Sequence, residues 1–393
     1  MSATDAPAGN TRVGLAILAL ATGGFAIGTT EFVSMGLLPQ LAHGVDVSIP
    51  TAGHAISAYA LGVVLGAPLV AFFAAHLPRR GLLIALMLLF FAGNGATALA
   101  GSYPSLLIGR FVAGIPHGAY FGVASLVAAD LVHQSRRGRA VSQVMLGLAV
   151  SNVLGVPAAT WLGQHAGWRT AYWAVAAIGL LTAALVLWRV PHHPGNAGAS
   201  GRAELAAFGN PQVLLTLLVG AIGFGGVFAM FTYIAPTVTQ VAGQPERMVP
   251  VYLLVMGLGM VAGTTLGGRL ADWSIMRSLL LSATALGLIL LVFTQTARWL
   301  VPGLVTVFAL EVFASMLVVS LQMRLMQVAG DAQTIGAAMN HASLNAANAL
   351  GAWIGGVVVA AGYGYRAPSL VGAGLSFAGL LILLASARLH VRR

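Results

Sequence analysis

Long apolar stretches, separated by short polar connections, occupy almost the whole chain. A helix needs about 20 mostly apolar residues to cross the roughly 30 Å hydrocarbon core of a bilayer. Twelve stretches meet that requirement, and we number them as spans 1 to 12. They lie near 13–38, 50–75, 81–101, 104–132, 140–163, 169–190, 212–240, 249–270, 276–296, 299–323, 335–361 and 367–387. The pattern predicts an all-α membrane protein with twelve transmembrane helices.

The connection at 191–211 differs from the other connections in length and composition. It contains the run Pro-His-His-Pro-Gly-Asn-Ala-Gly-Ala-Ser-Gly, which is typical of a flexible linker. This linker divides the spans into six and six. The predicted domains are therefore an N-terminal six-helix bundle at 1–190 and a C-terminal six-helix bundle at 212–393, with a cytoplasmic linker at 191–211 between them.

The two halves also resemble each other in sequence. The segment that starts at Gly66 matches the segment that starts at Gly263, at an offset of 197 residues. The run from Asn152 to Gly155 matches the run from Asn348 to Gly351 at an offset of 196. Two nearly equal offsets indicate a duplicated six-helix unit and two pseudo-symmetric bundles. Repeats of this kind place a binding site between the halves, near the middle of the membrane.

Composition excludes several classes of protein. Of 393 residues, 58% are hydrophobic and only 7% are charged, whereas globular domains carry about 25% charged residues. The net charge of +10 comes from 19 basic and 9 acidic residues, which are too few to build a nucleic-acid-binding surface. The chain has no cysteine, which excludes disulfides, thiolate metal sites and cysteine nucleophiles.

The arginines predict how the chain is oriented in the membrane. Fourteen of them fall in connections on the side of the N-terminus, including Arg324 near the end of span 10, and four fall on the other side. Arg110 lies within span 4. Because basic residues concentrate on the cytoplasmic side, we expect both termini in the cytoplasm.

Three ionisable residues lie within the spans, namely Glu31, Arg110 and Glu311. A charge there costs roughly 2.5–3.5 kcal/mol on insertion scales, so such residues usually face a cavity or a partner. Glu31 and Arg110 are at similar depths and can form a pair. Arginine favours an ionised carboxylate and burial favours a protonated one, so the pair is a candidate proton-coupling site; a fixed ion pair is the alternative. Glu311 has no basic residue at its depth, and it is a second candidate for coupling, a substrate contact or a structural acid.

Polar residues in the spans are candidate substrate ligands. His341, Asn345 and Asn348 recur at i, i+4 and i+7 and therefore share one helix face. Amide and imidazole groups both donate and accept hydrogen bonds. The alternative role is hydrogen bonding or packing between helices. The complete candidate set is His117, Asn152, Thr232, Tyr233, Asn340, His341, Asn345 and Asn348.

Five motifs together resemble the drug and sugar efflux branch of the major facilitator superfamily, the arabinose-efflux-like permeases. They are Gly28-Thr-Thr-Glu-Phe32, the run from Gly109 to Gly122, Arg136-Arg-Gly-Arg-Ala140, Asn152-Val-Leu-Gly-Val-Pro157, and the run from Asn340 to Gly351. The resemblance implies a monomeric proton antiporter without a cofactor, which exports a small organic solute across the bacterial inner membrane by alternating access. Sugars, chloramphenicol-like drugs and nucleosides remain open as solutes.

Two other functions stay open beside export. One is uptake by symport, or passive facilitation, on the same fold. The other is a membrane-embedded enzyme, which is disfavoured because the sequence has no metal-ligand cluster and no arrangement of nucleophile and base. A protein of the predicted kind would interact with lipid, protons and a small solute, and not with nucleic acid.

The resemblance also implies residues that control gating. Gly155 and Pro157 are similar to the antiporter motif, in which span 5 meets its second-half partner. The superfamily usually carries an acid between spans 2 and 3, where this chain has Ala75. We therefore expect no charged latch in the first half. In the second half we expect one between Asp272 and Arg269 or Arg277, with topology alone as the other role of these arginines.

Overall fold

The computed structural model describes residues 6–74, 77–192, 210–328 and 333–391. Every regular element within these residues is a helix. Most of the predicted linker at 191–211 lies outside the described residues. The helices form twelve spans, which we label α1 to α12.

The first half contains α1 to α6. In order they are Ala6–Gly36, His54–Ala74, Arg79–Ala98, Tyr103–Asp130, the three consecutive segments Arg137–Val150, Ser151–Gly155 and Val156–Ala166 that make up α5, and Trp168–Arg189. Two short helices, Leu38–Gly44 and Ile49–Ala52, connect α1 to α2. The middle segment of α5 is a π turn. It lies just before Pro157, whose ring nitrogen cannot donate a helical hydrogen bond.

The second half contains α7 to α12. Span α7 runs through Pro211–Leu218, Val219–Gly223, Gly225–Thr232, Ile234–Pro236 and Thr237–Val241, and its second and fifth segments are π turns. The next helical run, Val249–Thr296, has 48 residues and would measure about 72 Å if it were straight. Ser274 breaks it with a non-helical backbone, which separates α8 at 249–273 from α9 at 275–296. The last three spans are Leu300–Val328, Gln333–Ala360 and Ala367–Val391.

These helices confirm the predicted fold class. Eleven helical stretches of the described chain are long and apolar enough to cross a membrane, and one of them holds both α8 and α9. Large apolar side chains such as Leu99 and Leu381 are exposed around the bundle, as expected for a surface that faces lipid. We call the side of the bundle that holds both chain ends the terminal side, and the other side the opposite side.

Close backbone contacts repeat between the halves at the offset found in the sequence. A Cβ atom added to Gly62 of α2 would overlap the carbonyl oxygen of Phe111 in α4, and one added to Gly259 of α8 would overlap that of Phe308 in α10. Gly62 and Gly259 are 197 positions apart in the sequence, and so are Phe111 and Phe308. The pair of α2 with α4 and the pair of α8 with α10 are therefore copies of one packing arrangement, as the two-bundle prediction requires.

Contacts between the halves close the opposite side. The rings of Phe32 in α1 and Phe231 in α7 stack with centroids 5.5 Å apart and planes 11° apart. The side-chain nitrogen of Gln40 donates to Glu246 Oε2 at 3.1 Å, and that of Gln164 donates to the Glu246 carbonyl oxygen at 3.0 Å. Glu246 precedes α8, whereas the two glutamines follow α1 and lie near the end of α5. This loop glutamate therefore ties the second half to the first.

Charged residues on the terminal side differ from the expected arrangement. The described residues contain one ion pair, between Arg79 at the start of α3 and Asp130 at the end of α4. In this pair α4 supplies an acid that is missing between spans 2 and 3; the expectation of no charged latch in the first half stays a prediction. Asp272 is in no ion pair among the described residues. The Arg277 guanidinium instead lies 4.8 Å from the Trp273 ring centroid, and Arg269 is exposed.

Candidate functional site

Arg110 lies fully buried in α4, between two tyrosine rings. Its guanidinium carbon is 4.3 Å from the ring centroid of Tyr59 in α2 and 5.5 Å from that of Tyr172 in α6. The absence of a side chain at Gly114 allows this approach, because a Cβ there would overlap the Tyr59 carbonyl oxygen. Aromatic faces attract cations, and more strongly where water is excluded. The tyrosines therefore stabilise a charge that is in no ion pair among the described residues.

One hydrogen-bond chain fixes the guanidinium on its α1 side. Arg110 Nη1 donates to Thr30 Oγ1 at 3.1 Å, and Thr30 donates to Asn94 Oδ1 at 2.5 Å. The Asn94 amide in turn donates to the Phe90 carbonyl oxygen at 2.9 Å. Nε and Nη2 of Arg110 are buried and have no partner among the described residues. Two nitrogens of the guanidinium therefore remain available to a ligand, a water molecule or a carboxylate.

Glu31 follows Thr30 in α1, and its side chain is buried. The predicted direct pair with Arg110 is not formed: within the described part of the chain, Glu31 is in no ion pair. Thr30 instead accepts a hydrogen bond from the Arg110 guanidinium. The two charges are still close enough to interact electrostatically. A change in the protonation of Glu31 therefore breaks no direct ion pair.

A line of rings extends from Arg110 to the second half. The Tyr59 hydroxyl lies 3.0 Å from His117 Nδ1, with donor and acceptor set by the histidine tautomer. The His117 ring is 5.5 Å from the Phe121 ring. Phe121 stacks on His341 of α11, with centroids 5.9 Å and planes 10° apart. The line ends at the contact of Phe121 with His341, which joins the halves. This contact lies about 13 Å from the ends of α4 and α11 on the terminal side.

Several amide and hydroxyl groups of the second half are buried without partners in the described structure. Both amide atoms of Asn348, one carbonyl oxygen each of Asn340 and Asn345, and the Thr232 hydroxyl are in this state. The amide nitrogen of Asn340 donates to Gln322 at 2.8 Å, and that of Asn345 donates to the His341 carbonyl oxygen at 3.0 Å. Buried polar groups need hydrogen-bond partners. These groups therefore offer several positions for a solute or for water.

Other predicted ligands already have partners. The Tyr233 hydroxyl donates to the Ala352 carbonyl oxygen at 3.1 Å, and Tyr233 packs against Gly53 of the first half. The Asn152 amide donates to the Leu148 carbonyl oxygen of its own helix at 2.9 Å. Tyr233 therefore joins helices at the opposite side, and Asn152 supports α5. The structure does not group either residue with the unpartnered amides.

The predicted meeting of span 5 with the second half is present. A Cβ added to Gly257 of α8 would overlap the carbonyl oxygen of Asn152, within the π turn that precedes Pro157. Gly155 packs instead on Thr29 and Phe25 of α1. The irregular turn therefore lets α5 contact α1 on one face and α8 on another.

Glu311 is buried in α10, apart from the ring line. It makes no hydrogen bond or ion pair among the described residues. Its Cβ atom lies close to Gly259 of α8. The acid therefore borders the contact between α8 and α10, at the position that corresponds to Gly114 in the first half.

Two important residues were missed or misplaced by the sequence analysis. Tyr59 was not singled out, although its position three residues before Gly62, the contact glycine of α2, was a usable signal. Arg324 was assigned to a cytoplasmic connection, but it is buried in α10. It donates to Gln212 Oε1 at 3.2 Å and to Gln327 Oε1 at 3.1 Å. These amides allow the charge to lie inside the last turn of the helix.

Comparison with known proteins agrees with this architecture. The Major Facilitator Superfamily profile matches residues 20–341. The chain is 40% identical over 377 residues to the inner membrane transport protein YdhP of Escherichia coli (strain K12), covering 96% of this chain and 97% of that protein. It is 40% identical over 262 residues to a chloramphenicol resistance protein of Streptomyces lividans, covering 66% and 67%.

A solved structure supports the same fold. The xylose transporter XylE from E. coli, in a partially occluded inward open conformation, has a TM-score of 0.75 at 17% identity. The match covers 95% of this chain and 98% of that one. The family profile and the named relatives make the protein a multi-pass inner membrane transporter rather than an enzyme. The chain belongs to the major facilitator superfamily.

Proposed function

We propose that this protein exports a small organic solute across the inner membrane in exchange for protons. The observation that carries the proposal is the geometry of Glu31. Its carboxyl group is buried near Arg110 without a direct ion pair, and the guanidinium is held by Thr30 and two tyrosines. A carboxyl group in this position can gain or lose a proton while Thr30 keeps its hydrogen bond to the arginine.

The second half supplies the solute contacts in this proposal. Asn348, Asn345 and the Thr232 hydroxyl carry buried atoms that need partners. Aromatic rings lie on α1 and α7. Phe32 of α1 stacks on Phe231 of α7, and Phe224 makes an edge contact with Phe228 of α7. Unpartnered amides together with aromatic surfaces suit a compound that has both hydroxyl or amide groups and an apolar body.

Contacts between the halves on both sides of the bundle support alternating access. The Glu246 contacts close the opposite side, and the stack of Phe121 on His341 joins the halves nearer the terminal side. The arginine distribution supports a cytoplasmic terminal side. In this cycle, solute enters from the cytoplasm, and Glu31 receives a proton when the opposite side opens. The proton leaves towards the cytoplasm after the protein returns.

Export is favoured over uptake by one relative, which is named a chloramphenicol resistance protein. That name is consistent with outward movement of a drug. Chloramphenicol is therefore the first probe to use. The interface between the halves lies within one chain, so we propose that the monomer is the working unit.

The proposal is tested in bacterial cells that lack their own drug exporters. Cells express the wild type, Glu31→Gln, Glu311→Gln or the control Asp46→Asn, at matched amounts in the membrane. Asp46 is exposed and has a left-handed backbone conformation that asparagine also adopts. They are screened for resistance with chloramphenicol first, and then for export with a panel of nucleosides and sugars. We expect the wild type to protect against, or export, at least one compound, and Glu31→Gln to behave like the empty vector.

The same compound is then studied in proteoliposomes with a pH-sensitive dye. Glu31→Gln should still exchange labelled solute for unlabelled solute, because its binding groups are intact, while solute-dependent proton movement should be lost. Solute movement without proton flux in the wild type would instead identify a passive facilitator. If Glu311→Gln alone loses proton movement, Glu311 rather than Glu31 is the coupling acid.

A further inference from the structure

We propose that Tyr59 is a positioning residue that transmits the protonation of Glu31 to His117, and through Phe121 to the solute-binding face of α11. This inference rests on the proposed function and names how its two sites communicate. Among the described residues, Tyr59 contacts both the guanidinium of Arg110 and the ring of His117. Its side chain is fully buried.

The tyrosine ring has little freedom to move. Its backbone carbonyl oxygen lies where a Cβ of Gly114 would be, so α2 and α4 are in direct backbone contact at this level. The ring is held between the guanidinium, 4.3 Å from its centroid, and the imidazole, 3.0 Å from its hydroxyl. A displacement of Arg110 therefore cannot occur without changing the environment of the Tyr59 ring.

The contact of the guanidinium with the Tyr59 ring changes the strength of the hydrogen bond that the Tyr59 hydroxyl makes. When Glu31 is ionised, it competes with the tyrosine faces for Arg110. When Glu31 is protonated, the guanidinium is held by Thr30 and by the rings of Tyr59 and Tyr172. A cation held on the face of a phenol draws electron density from it and makes its hydroxyl a stronger hydrogen-bond donor. In the tautomer in which His117 Nδ1 accepts from the Tyr59 hydroxyl, the bond is therefore stronger when Glu31 carries a proton.

His117 passes this change to the second half. Its ring contacts Phe121, and Phe121 stacks on His341. His341 lies four and seven positions before Asn345 and Asn348, so a shift of its ring reaches the helix face with the unpartnered amides. Among the described residues, the titratable and charged groups around this path are Glu31 on α1, Tyr59 on α2, Arg110, His117 and Tyr120 on α4, Tyr172 on α6 and His341 on α11.

The absence of cysteine makes the test direct. Gly101→Cys and Arg298→Cys are introduced together and carry spin labels. The two positions lie in exposed connections on the opposite side, one in each half, at an offset of 197. The distance between the labels reports opening of that side by double electron–electron resonance and requires no solute. It is measured at pH 5.5 and at pH 8.

Four variants in this background separate the contacts of Tyr59. Tyr59→Phe keeps the ring under Arg110 and removes the bond to His117, whereas Tyr59→Leu removes both. His117→Phe removes the same bond from its other end and keeps a ring beside Phe121. Tyr252→Phe removes a buried tyrosine hydroxyl of the second half, whose bond to the Leu300 carbonyl oxygen is 3.5 Å long, and serves as the matched control.

We expect the label distances to shift with pH in the parent protein and in Tyr252→Phe. Tyr59→Phe and His117→Phe should lose at least half of that shift, and Tyr59→Leu should lose more. If Tyr59→Phe does not fold, His117→Phe measures the same bond. A full shift in the folded hydroxyl-free variants would overturn the role of Tyr59.

A Glu31→Gln arm separates this inference from the proposed function. If Glu31→Gln abolishes the shift while Tyr59→Phe retains it, the coupling acid stands and the tyrosine link is wrong. If the parent protein shows no shift with pH, both the link and proton coupling fail. Loss of the shift in both variants, with the control unaffected, supports the link.

Discussion

The two six-helix halves share their backbone contacts but not their chemistry. Gly62 and Gly259 meet carbonyl oxygens at equivalent positions of α4 and α10. At the position where the first half has Arg110, the second half has Val307, and the counterpart of Glu31 is Phe228. The contacts of a duplicated scaffold were therefore retained while its side chains diverged.

Packing explains why the backbone contacts are shared while the side-chain chemistry differs. A side chain at a contact glycine would meet backbone atoms, and backbone cannot move aside as a side chain can. Residues that face the centre of the molecule have no such constraint. In the proposed function, the first half consequently specialises in proton binding and the second half in solute binding. Substitutions at equivalent positions test that division.

The largest contrast is expected between Arg110 and its counterpart Val307. Arg110→Gln should lower pH-driven export about 100-fold, which corresponds to roughly 2.7 kcal/mol, because Glu31 loses its neighbouring charge. Val307→Ala should stay within about threefold of the wild type. Initial rates of export into acidified vesicles measure both. Equal losses at the two positions would show that the halves are not specialised.

Equivalent glycines should behave alike. Gly62→Ala and Gly259→Ala should each lower the free energy of unfolding by about 1–3 kcal/mol, since the new methyl group meets a carbonyl oxygen. Gly122→Ala is the control, because no atom lies within 4 Å of its added Cβ. There the gain in helix propensity should leave stability unchanged or raise it by up to about 1 kcal/mol. Thermal unfolding in detergent compares them; a cost at only one contact glycine would contradict a common scaffold.

Asn348 and Asn152 occupy matching positions with different surroundings. The Asn348 amide has no partner among the described residues, whereas Asn152 donates to its own helix. Asn348→Ala should therefore raise the KM for solute about tenfold, as the loss of one or two hydrogen bonds implies, and leave the proton-to-solute ratio unchanged. Asn152→Ala should change KM by about twofold at most. Counterflow assays give both constants, and the reverse ranking would move the solute site to α5.

The smallest effect is expected at the ion pair of the terminal side. Asp130→Asn breaks the contact with Arg79. Both side chains are partly exposed, Arg79 to 22% and Asp130 to 36%. Surface pairs contribute less than about 1 kcal/mol, so the unfolding temperature should fall by only a few degrees. The second half has Gln327 at this position, where it accepts from Arg324. A large loss of transport without a loss of stability would instead make Asp130 a gating residue.

Sequence patterns predicted the fold because bilayer thickness and backbone satisfaction leave few choices. Twelve apolar stretches, the offset near 197 and the two bundles followed from helix length and repetition alone. The break at Ser274 was also anticipated, as a short gap between spans 8 and 9. Arg324 was misplaced because a count of apolar residues does not show that Gln212 can solvate a buried guanidinium.

Part of the candidate site was singled out from the sequence, and its role stays a prediction. Glu31, Arg110 and the asparagine face of α11 stood out because charge and amide groups are costly in a membrane. Tyr59 did not, since a tyrosine in an apolar helix has no such cost and its role depends on a neighbour 51 positions away. The direct pair of Glu31 with Arg110 was an inference from depth alone, and depth does not reveal that Thr30 reaches the guanidinium first.

The most direct test of the account is the solute ratio at which net flux reverses across proteoliposomes under a fixed pH difference. With the membrane potential held at zero, one proton exchanged per uncharged solute predicts reversal at a tenfold ratio per pH unit, because 1.4 kcal/mol corresponds to a factor of ten. Glu31→Gln should reverse at equal concentrations whatever the pH difference. A wild-type protein that also reverses at equal concentrations would contradict proton exchange.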